Sequence, residues 1–240
     1  MTERYDDQVQ AKIDETSKCG GAVRVPICLL VDASYSMTSQ IPGGQRRVDA
    51  VNNGIRKFIR DGRSSISARD AIDLSVIAFG GTEAEVLVDF RSIKSADFPG
   101  IHPNGGSPLS AGVRAAVTQI DNQMNLYAAM GLISHRAHLI VISDGEVTDD
   151  ANMIDVLIRY VRQKEREIRM DIQCFCIGDD RSGQAVLQRL DSEGELTLFS
   201  DLEINQFFEW VSKSADETSK LDPSSSDART TAAKEVKDYG

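Results

Sequence analysis

Val25-Pro26-Ile27-Cys28-Leu29-Leu30-Val31-Asp32-Ala33-Ser34-Tyr35-Ser36 is the stretch on which the reading of this chain turns. An apolar run of strand length, interrupted only by Pro26, ends in a carboxylate and two hydroxyls at alternate positions. A continuous run, unlike an alternating one, predicts a strand covered on both faces, as at the centre of a parallel sheet. The polar residues then fall on the turn that leaves the strand. Two more polar punctuations occupy comparable places: Gly105-Gly106-Ser107-Pro108-Leu109, and Ser143-Asp144-Gly145-Glu146 after Leu139-Ile140-Val141-Ile142. Together the three loops imply a divalent-cation site made only of hard oxygens, with Asp32, Ser34, Ser36, Ser107 and Asp144 as its members.

Working outward, Ile72–Phe79, Leu139–Ser143 and Ile172–Ile177 read as further buried strands. Glu85–Phe90 alternates and follows Gly80-Gly81, which predicts an antiparallel edge strand reached through a hairpin. Leu196–Phe199 reads as a short outer strand. Helical stripes fall between these runs. Val48, Val51, Ile55, Phe58 and Ile59 form one, closed by Asp61-Gly62; Leu109, Val113, Ala116, Val117 and Ile120 form another, with a blurred end over Leu126–Ile133. Ile154, Leu157, Ile158 and Val161 make a third, whose acids (Asp149, Asp150, Asp155) precede its bases (Arg162, Lys164, Arg166), as the helix dipole favours. Ala185–Leu190 is a short helix, and Phe207, Phe208, Trp210 and Val211 predict a last one docked on the sheet. The order predicts an α/β fold: a doubly wound, mostly parallel central sheet with one antiparallel edge strand and helices on both faces. Ligands of such sheets bind at the carboxyl ends of the strands, near the switch point, where all three oxygen-rich loops fall. Residues 1–21 read as a polar N-terminal arm, 22–213 as the folded domain, and 214–240 as a disordered tail rich in Ser, Asp, Lys and Thr.

The chain has 240 residues, 41% of them hydrophobic, which allows one sizeable domain with polar ends. A formal charge of -10 and a pI near 4.8 disfavour nucleic acid and anionic lipid. No segment approaches the roughly 18 apolar residues of a membrane span, and Met1–Lys18 lacks an apolar signal core. A cytoplasmic protein without membrane contact is expected. Cys28, Cys174 and Cys176 lie within strand runs and read as small core residues. The Cys174/Cys176 pair lacks the second pair that a zinc site requires.

Magnesium takes about six oxygens in octahedral array. The proposed set is rich in neutral hydroxyls and poor in charge, so a bound cation keeps net positive character and an open position for a partner's carboxylate. Blander readings exist for each member. Asp32, Ser34 and Ser36 fit ordinary turn residues, Ser107 fits a helix N-cap with Pro108 at the first helical position, and Asp144-Gly145 is a common turn dipeptide. Their convergence at one sheet edge favours the site.

An alternative is a magnesium-dependent hydrolase or phosphatase with Asp32 as nucleophile. The position two residues on, where such enzymes place a general acid, holds the neutral Ser34. Nor is there a G-x-S-x-G elbow, a phosphate-binding loop or a dinucleotide fingerprint. His135 and His138 form an H-x-x-H without further ligands, read as one capping a helix and the other opening a strand. No general base stands out, and a non-enzyme is expected. A scaffold with a vestigial metal site is a further alternative.

Asp32, Ser34 and Ser36 match the D-x-S-x-S element of the metal-ion-dependent adhesion site in von Willebrand factor A (vWA) domains, and Asp144 in Val141-Ile142-Ser143-Asp144-Gly145 matches its later Asp. The chain resembles that family over roughly residues 23–213. Ser107 stands where the family usually has Thr, keeping the hydroxyl and losing the methyl. Within the family, Val31-Asp32-Ala33-Ser34-Tyr35-Ser36-Met37 with Ala50-Val51-Asn52-Asn53-Gly54 is similar to bacterial TerY-type proteins of tellurite resistance and stress response. The resemblance implies a Mg2+ cofactor, with Mn2+ or Ca2+ as substitutes, and an interaction module that takes an acidic residue of a protein partner. It further implies kinase-like and PP2C-like phosphatase partners. Tyr35, Thr38, Gln40, Arg46, His102, Asn104 and Glu146 are the expected partner-binding rim. In larger relatives metal occupancy moves the last helix; the apolar anchor at Phe207, Phe208 and Trp210 predicts little motion here.

Overall fold

The computed structural model describes residues 23–41, 44–177 and 180–198, together with Lys213, Glu217 and Lys220. Strand β1, Val25–Asp32, is buried along its whole length. It lies at the centre of a six-stranded sheet with β2 (Ile72–Gly80) on one side and β4 (Ala137–Ser143) on the other, both parallel to it. Beyond β2 lies β3 (Glu83–Ser92), antiparallel; beyond β4 lie β5 (Met170–Cys176) and β6 (Leu196–Leu198), both parallel. The order β3-β2-β1-β4-β5-β6 puts the reversal of winding between β1 and β4. A crevice at the carboxyl edge is expected there.

Strand parity sorts the core into two layers. Val25, Ile27, Leu29 and Val31 of β1 pack with Val48, Val51, Ile55 and Phe58 of α1 (Arg47–Ser64) and with Ala68 and Ala71 of α2 (Ile66–Ala71). Cys28 and Leu30 face the other way. They join Leu109, Val113 and Val117 of α3 (Leu109–Ala129), Ile154 and Leu157 of α4 (Ala151–Glu167), and Leu187 of α5 (Arg181–Leu190). The two-residue period of a strand thus assigns each β1 side chain to a layer, and Asp32 falls by parity on the α3–α5 side.

Helix starts follow local chemistry. Asp150 caps α4 by accepting from the Met153 amide, Asp180 caps α5 through the Ser182 and Gly183 amides, and Ser65 caps α2 through Ala68. The Ser65 cap, which starts α2 straight after α1, was missing from the sequence reading. Asp61-Gly62 does not stop α1, which runs to Ser64, and α3 continues through Leu126 to Ala129. A short 3-10 turn, Tyr35–Thr38, follows β1. His138 is the second residue of β4, and His135 lies between α3 and that strand, its amide donating to the Arg24 carbonyl at 2.9 Å. Cys28, Cys174 and Cys176 are buried and outside any disulfide, and burial pushes the Cys28 thiol up to about 12. The expected N-terminal arm, the Phe207–Val211 helix and the tail lie outside the described residues.

Candidate metal centre

Asp32 is the last residue of β1 and has no solvent exposure. The Ser34 amide donates to its Oδ1 at 2.8 Å, closing a tight turn that sends the chain up from the sheet. Its other oxygen, Oδ2, accepts from the Ser107 hydroxyl at 2.8 Å and from the Ser143 hydroxyl at 2.6 Å. One carboxylate therefore joins three segments separated widely in sequence. Burial raises the Asp32 carboxyl above its ordinary value, opposed by the bonds from Ser143 and Ser34, and the nearby Asp144 charge pushes it further up.

Backbone bonds hold the three loops in register. The Ala33 amide donates to the Phe79 carbonyl at 2.8 Å, Tyr35 to Gly105 at 3.0 Å, Gly81 to Gly106 at 3.1 Å, and Thr148 to Ser107 at 3.0 Å. Gly105 has φ +59°, and a Cβ there would lie 2.7 Å from the Cα of Gly81; only glycine lets these two loops touch. Asn52 of α1 grips the same loop from below, donating to the Ile101 carbonyl at 3.0 Å and accepting from its amide at 2.8 Å. The helix α3 begins at Leu109 with Pro108 as its cap residue and no side-chain cap bond. Ser107 is therefore not the N-cap; its hydroxyl is turned to Asp32 instead.

Ser34 and Ser36 stand with their hydroxyl oxygens 2.8 Å apart. At 2.8 Å the two hydroxyls are hydrogen-bonded to each other, a separation that an O–H···O bond gives of itself. Asp144 follows β4 and is 2% exposed. Its Oδ1 accepts from the Glu146 amide at 3.2 Å, while its buried Oδ2 makes no hydrogen bond. A buried carboxylate oxygen without a hydrogen bond needs positive charge beside it, and Arg47 Nη1 at 3.6 Å supplies one such charge while leaving the oxygen's lone pairs unused. The donor set of two carboxylates and three hydroxyls thus fits a hard divalent ion. Among the described residues no three His, Cys, Asp or Glu side chains gather into a metal cage, so a site here depends on the hydroxyls.

Two residues of this neighbourhood escaped the sequence reading. Ser143, besides donating to Asp32, accepts from the Gly145 amide at 3.0 Å. Pairing of Val31 with Ile142 makes Asp32 and Ser143 the next neighbours on the same sheet face, so strand parity carried the signal. Arg47, the first residue of α1, places Nη1 3.6 Å from Asp144 Oδ2.

The rim is uneven. Tyr35 is 64% exposed beside the serine pair, and Thr38, Gln40, Arg46, His102, Asn104 and Glu146 are exposed too. Arg46 is turned to Asp49, with Nε–Oδ2 and Nη2–Oδ1 distances of 2.7 and 2.9 Å, and its backbone bridges to Gln40. Thr38 folds its hydroxyl onto the Tyr35 carbonyl at 2.7 Å. Asn104 supports the loops, its amide bonded to Ala33 and its side chain over Gly81. An open groove of about 810 Å³ lies at the opposite end of the sheet, where Asp121, Met124, Tyr127, Leu132, Lys164 and Arg169 line it; none of these belongs to the oxygen-rich loops.

No family model and no curated protein matches the chain. Solved structures do. The vWF domain of the type V pili tip protein Mfa5 from Porphyromonas gingivalis aligns with a TM-score of 0.59 at 11% identity, over 84% of this chain and 98% of that one. The SpRpn10 VWA domain aligns with a TM-score of 0.54 at 14% identity, over 79% of this chain and 95% of that one. The pilus adhesin SpaC from Lactobacillus rhamnosus GG gives a TM-score of 0.59 at 13% identity, over 81% of this chain but 31% of that one. The fold is that of a vWA domain.

Proposed function

We propose that this chain is a metal-ion-dependent protein-interaction module, in which a Mg2+ ion held by Asp32, Ser34, Ser36, Ser107 and Asp144 takes an acidic residue from a protein partner. The observation that carries this reading is the convergence of the three loops on Asp32, which accepts from the Ser34 amide and the Ser107 hydroxyl, beside a buried Asp144 whose Oδ2 makes no hydrogen bond. Asp32 already accepts bonds on both of its oxygens, which suits orienting the hydroxyls. A bound ion would supply the Lewis acidity for a partner's carboxylate, and the three loops would hold it in place. Position 34 holds a hydroxyl rather than a second acid, which favours docking over hydrolysis. Exposed Tyr35 offers the partner an aromatic contact beside the ion.

The finer reading is a TerY-type adaptor in a bacterial tellurite-resistance or stress system, working in the cytoplasm beside kinase-like and PP2C-like phosphatase partners. It is supported by the residues of the Asp32 motif and of α1 and by three buried cysteines outside any disulfide, which suit a reducing compartment. Among the described residues no helix is long and apolar enough to cross a membrane. Co-purification with kinase-like and phosphatase-like proteins of the same system tests the proposal. Capture should be lost on chelation and in Asp32→Ala and Asp144→Ala, with folding retained by circular dichroism. Capture that survives both changes and chelation contradicts it.

A further inference from the structure

We infer that Arg47 is the built-in counter-ion of the metal-free site and competes with the divalent cation for Asp144. The inference rests on the metal reading above and adds a residue that none of the three oxygen-rich loops contains. Asp32 and Asp144 are both at most 2% exposed, and two carboxylates buried so close together repel each other when no positive charge accompanies them. Arg47 supplies one. Its Nη1 lies 3.6 Å from Asp144 Oδ2, and its side chain is 18% exposed against 1% for that of Asp144. The separation is that of an ion pair but too long for a hydrogen bond, and the oxygen has none. The guanidinium therefore neutralises the carboxylate while leaving its lone pairs open.

The location is built, not incidental. Arg47 opens α1, which Val48 and Val51 anchor in the core, and its amide donates to the Ser39 carbonyl at 3.0 Å, tying the helix start to the 3-10 turn. Its neighbour Arg46 is engaged with Asp49 at 2.7 Å, so the two arginines are sorted by position: one outward, one to the site. A guanidinium and a divalent ion on the same carboxylate repel strongly in a buried setting. Metal entry requires Arg47 to swing outward along its own flexible stem, or binding is weakened by its presence. The site is thereby stable without metal and binds metal weakly until a partner's carboxylate adds negative charge.

Calorimetric titration with MgCl2 and MnCl2, with thermal melting in chelator, tests this on the full chain. Arg47→Gln removes the charge and should melt lower than wild type in chelator yet bind Mg2+ at least about tenfold more tightly. Arg47→Lys should behave like wild type. If Arg47→Gln binds Mg2+ with wild-type affinity while Asp144→Asn abolishes binding, the metal reading stands and the counter-ion inference falls. If neither wild type nor Arg47→Gln binds either ion, both fall. Should Arg47→Gln fail to fold, the Arg47 Nε resonance of the wild type decides: it should shift on saturation with Mg2+, and an unmoved resonance overturns the inference.

Discussion

Asp32 takes hydrogen bonds from Ser34, Ser107 and Ser143, one from each of three chain segments. Of these donors only Ser143 was not assigned to the site, although it opens the third of the polar stretches from which the site was read. A hydrogen bond to a charged group contributes about 1.5–3 kcal/mol. Ser143→Ala should therefore destabilise the fold by an amount of that order in urea unfolding and weaken Mg2+ binding; a variant as stable as wild type would contradict the assigned role. The five proposed ligands were legible as polar loop residues: Asp32, Ser34, Ser36 and Asp144 follow apolar runs, and Ser107 stands between Gly105-Gly106 and Pro108. Ser143 read both as the end of a strand and as the head of the third polar stretch, and only strand parity with Asp32 would have paired the two. Arg47 gave no local sign at all, since its reach to Asp144 depends on where α1 lands after an intervening loop.

At the level of elements, the third loop is fixed by a glycine contact. A Cβ on Gly183, in the first turn of α5, would lie 1.7 Å from the Gly145 carbonyl oxygen. Relief requires the backbone of α5 or of the Asp144 loop to move. Gly183→Ala should cost about 1–3 kcal/mol, the usual range for overpacking, and should perturb metal binding. Gly194→Ala makes the comparison: it meets nothing within 4 Å but has φ +73°, so it should destabilise by about 1 kcal/mol through backbone strain alone and leave metal binding intact. Urea unfolding and Mg2+ titration of the two variants check this. The sheet was readable because its central strands are continuous apolar runs and β3 alternates. Element ends were not. Asp61-Gly62 reads as a stop, but Arg63 of the continuing helix donates to the Ile93 and Ala96 carbonyls, and that tertiary bonding carries α1 onward.

Among the described residues, two buried polar centres stand at opposite ends of the sheet. At the carboxyl end stand the oxygen-rich loops. At the other, Arg24 just before β1 is 1% exposed and pairs with Asp73 of β2, which also accepts the hydroxyl of Tyr127 from α3. Burial, with Asp73 beside it, holds the Tyr127 phenol well above its ordinary value, so it stays a donor. Asp73→Asn removes the charge opposite Arg24 and should cost about 3–5 kcal/mol in urea unfolding, while the folded fraction retains wild-type Mg2+ affinity. Equal stability, or a lost metal response, would show that the two ends are not divided in this way. The central claim, that the three loops form one divalent-cation site, is tested most directly by Mn2+-induced broadening of backbone amide resonances. Broadening confined to the amides around Ser34–Ser36, Ser107 and Asp144–Glu146, absent from Asp144→Asn, is the expected result. Broadening spread over the acidic surface, or unchanged in Asp144→Asn, would contradict it.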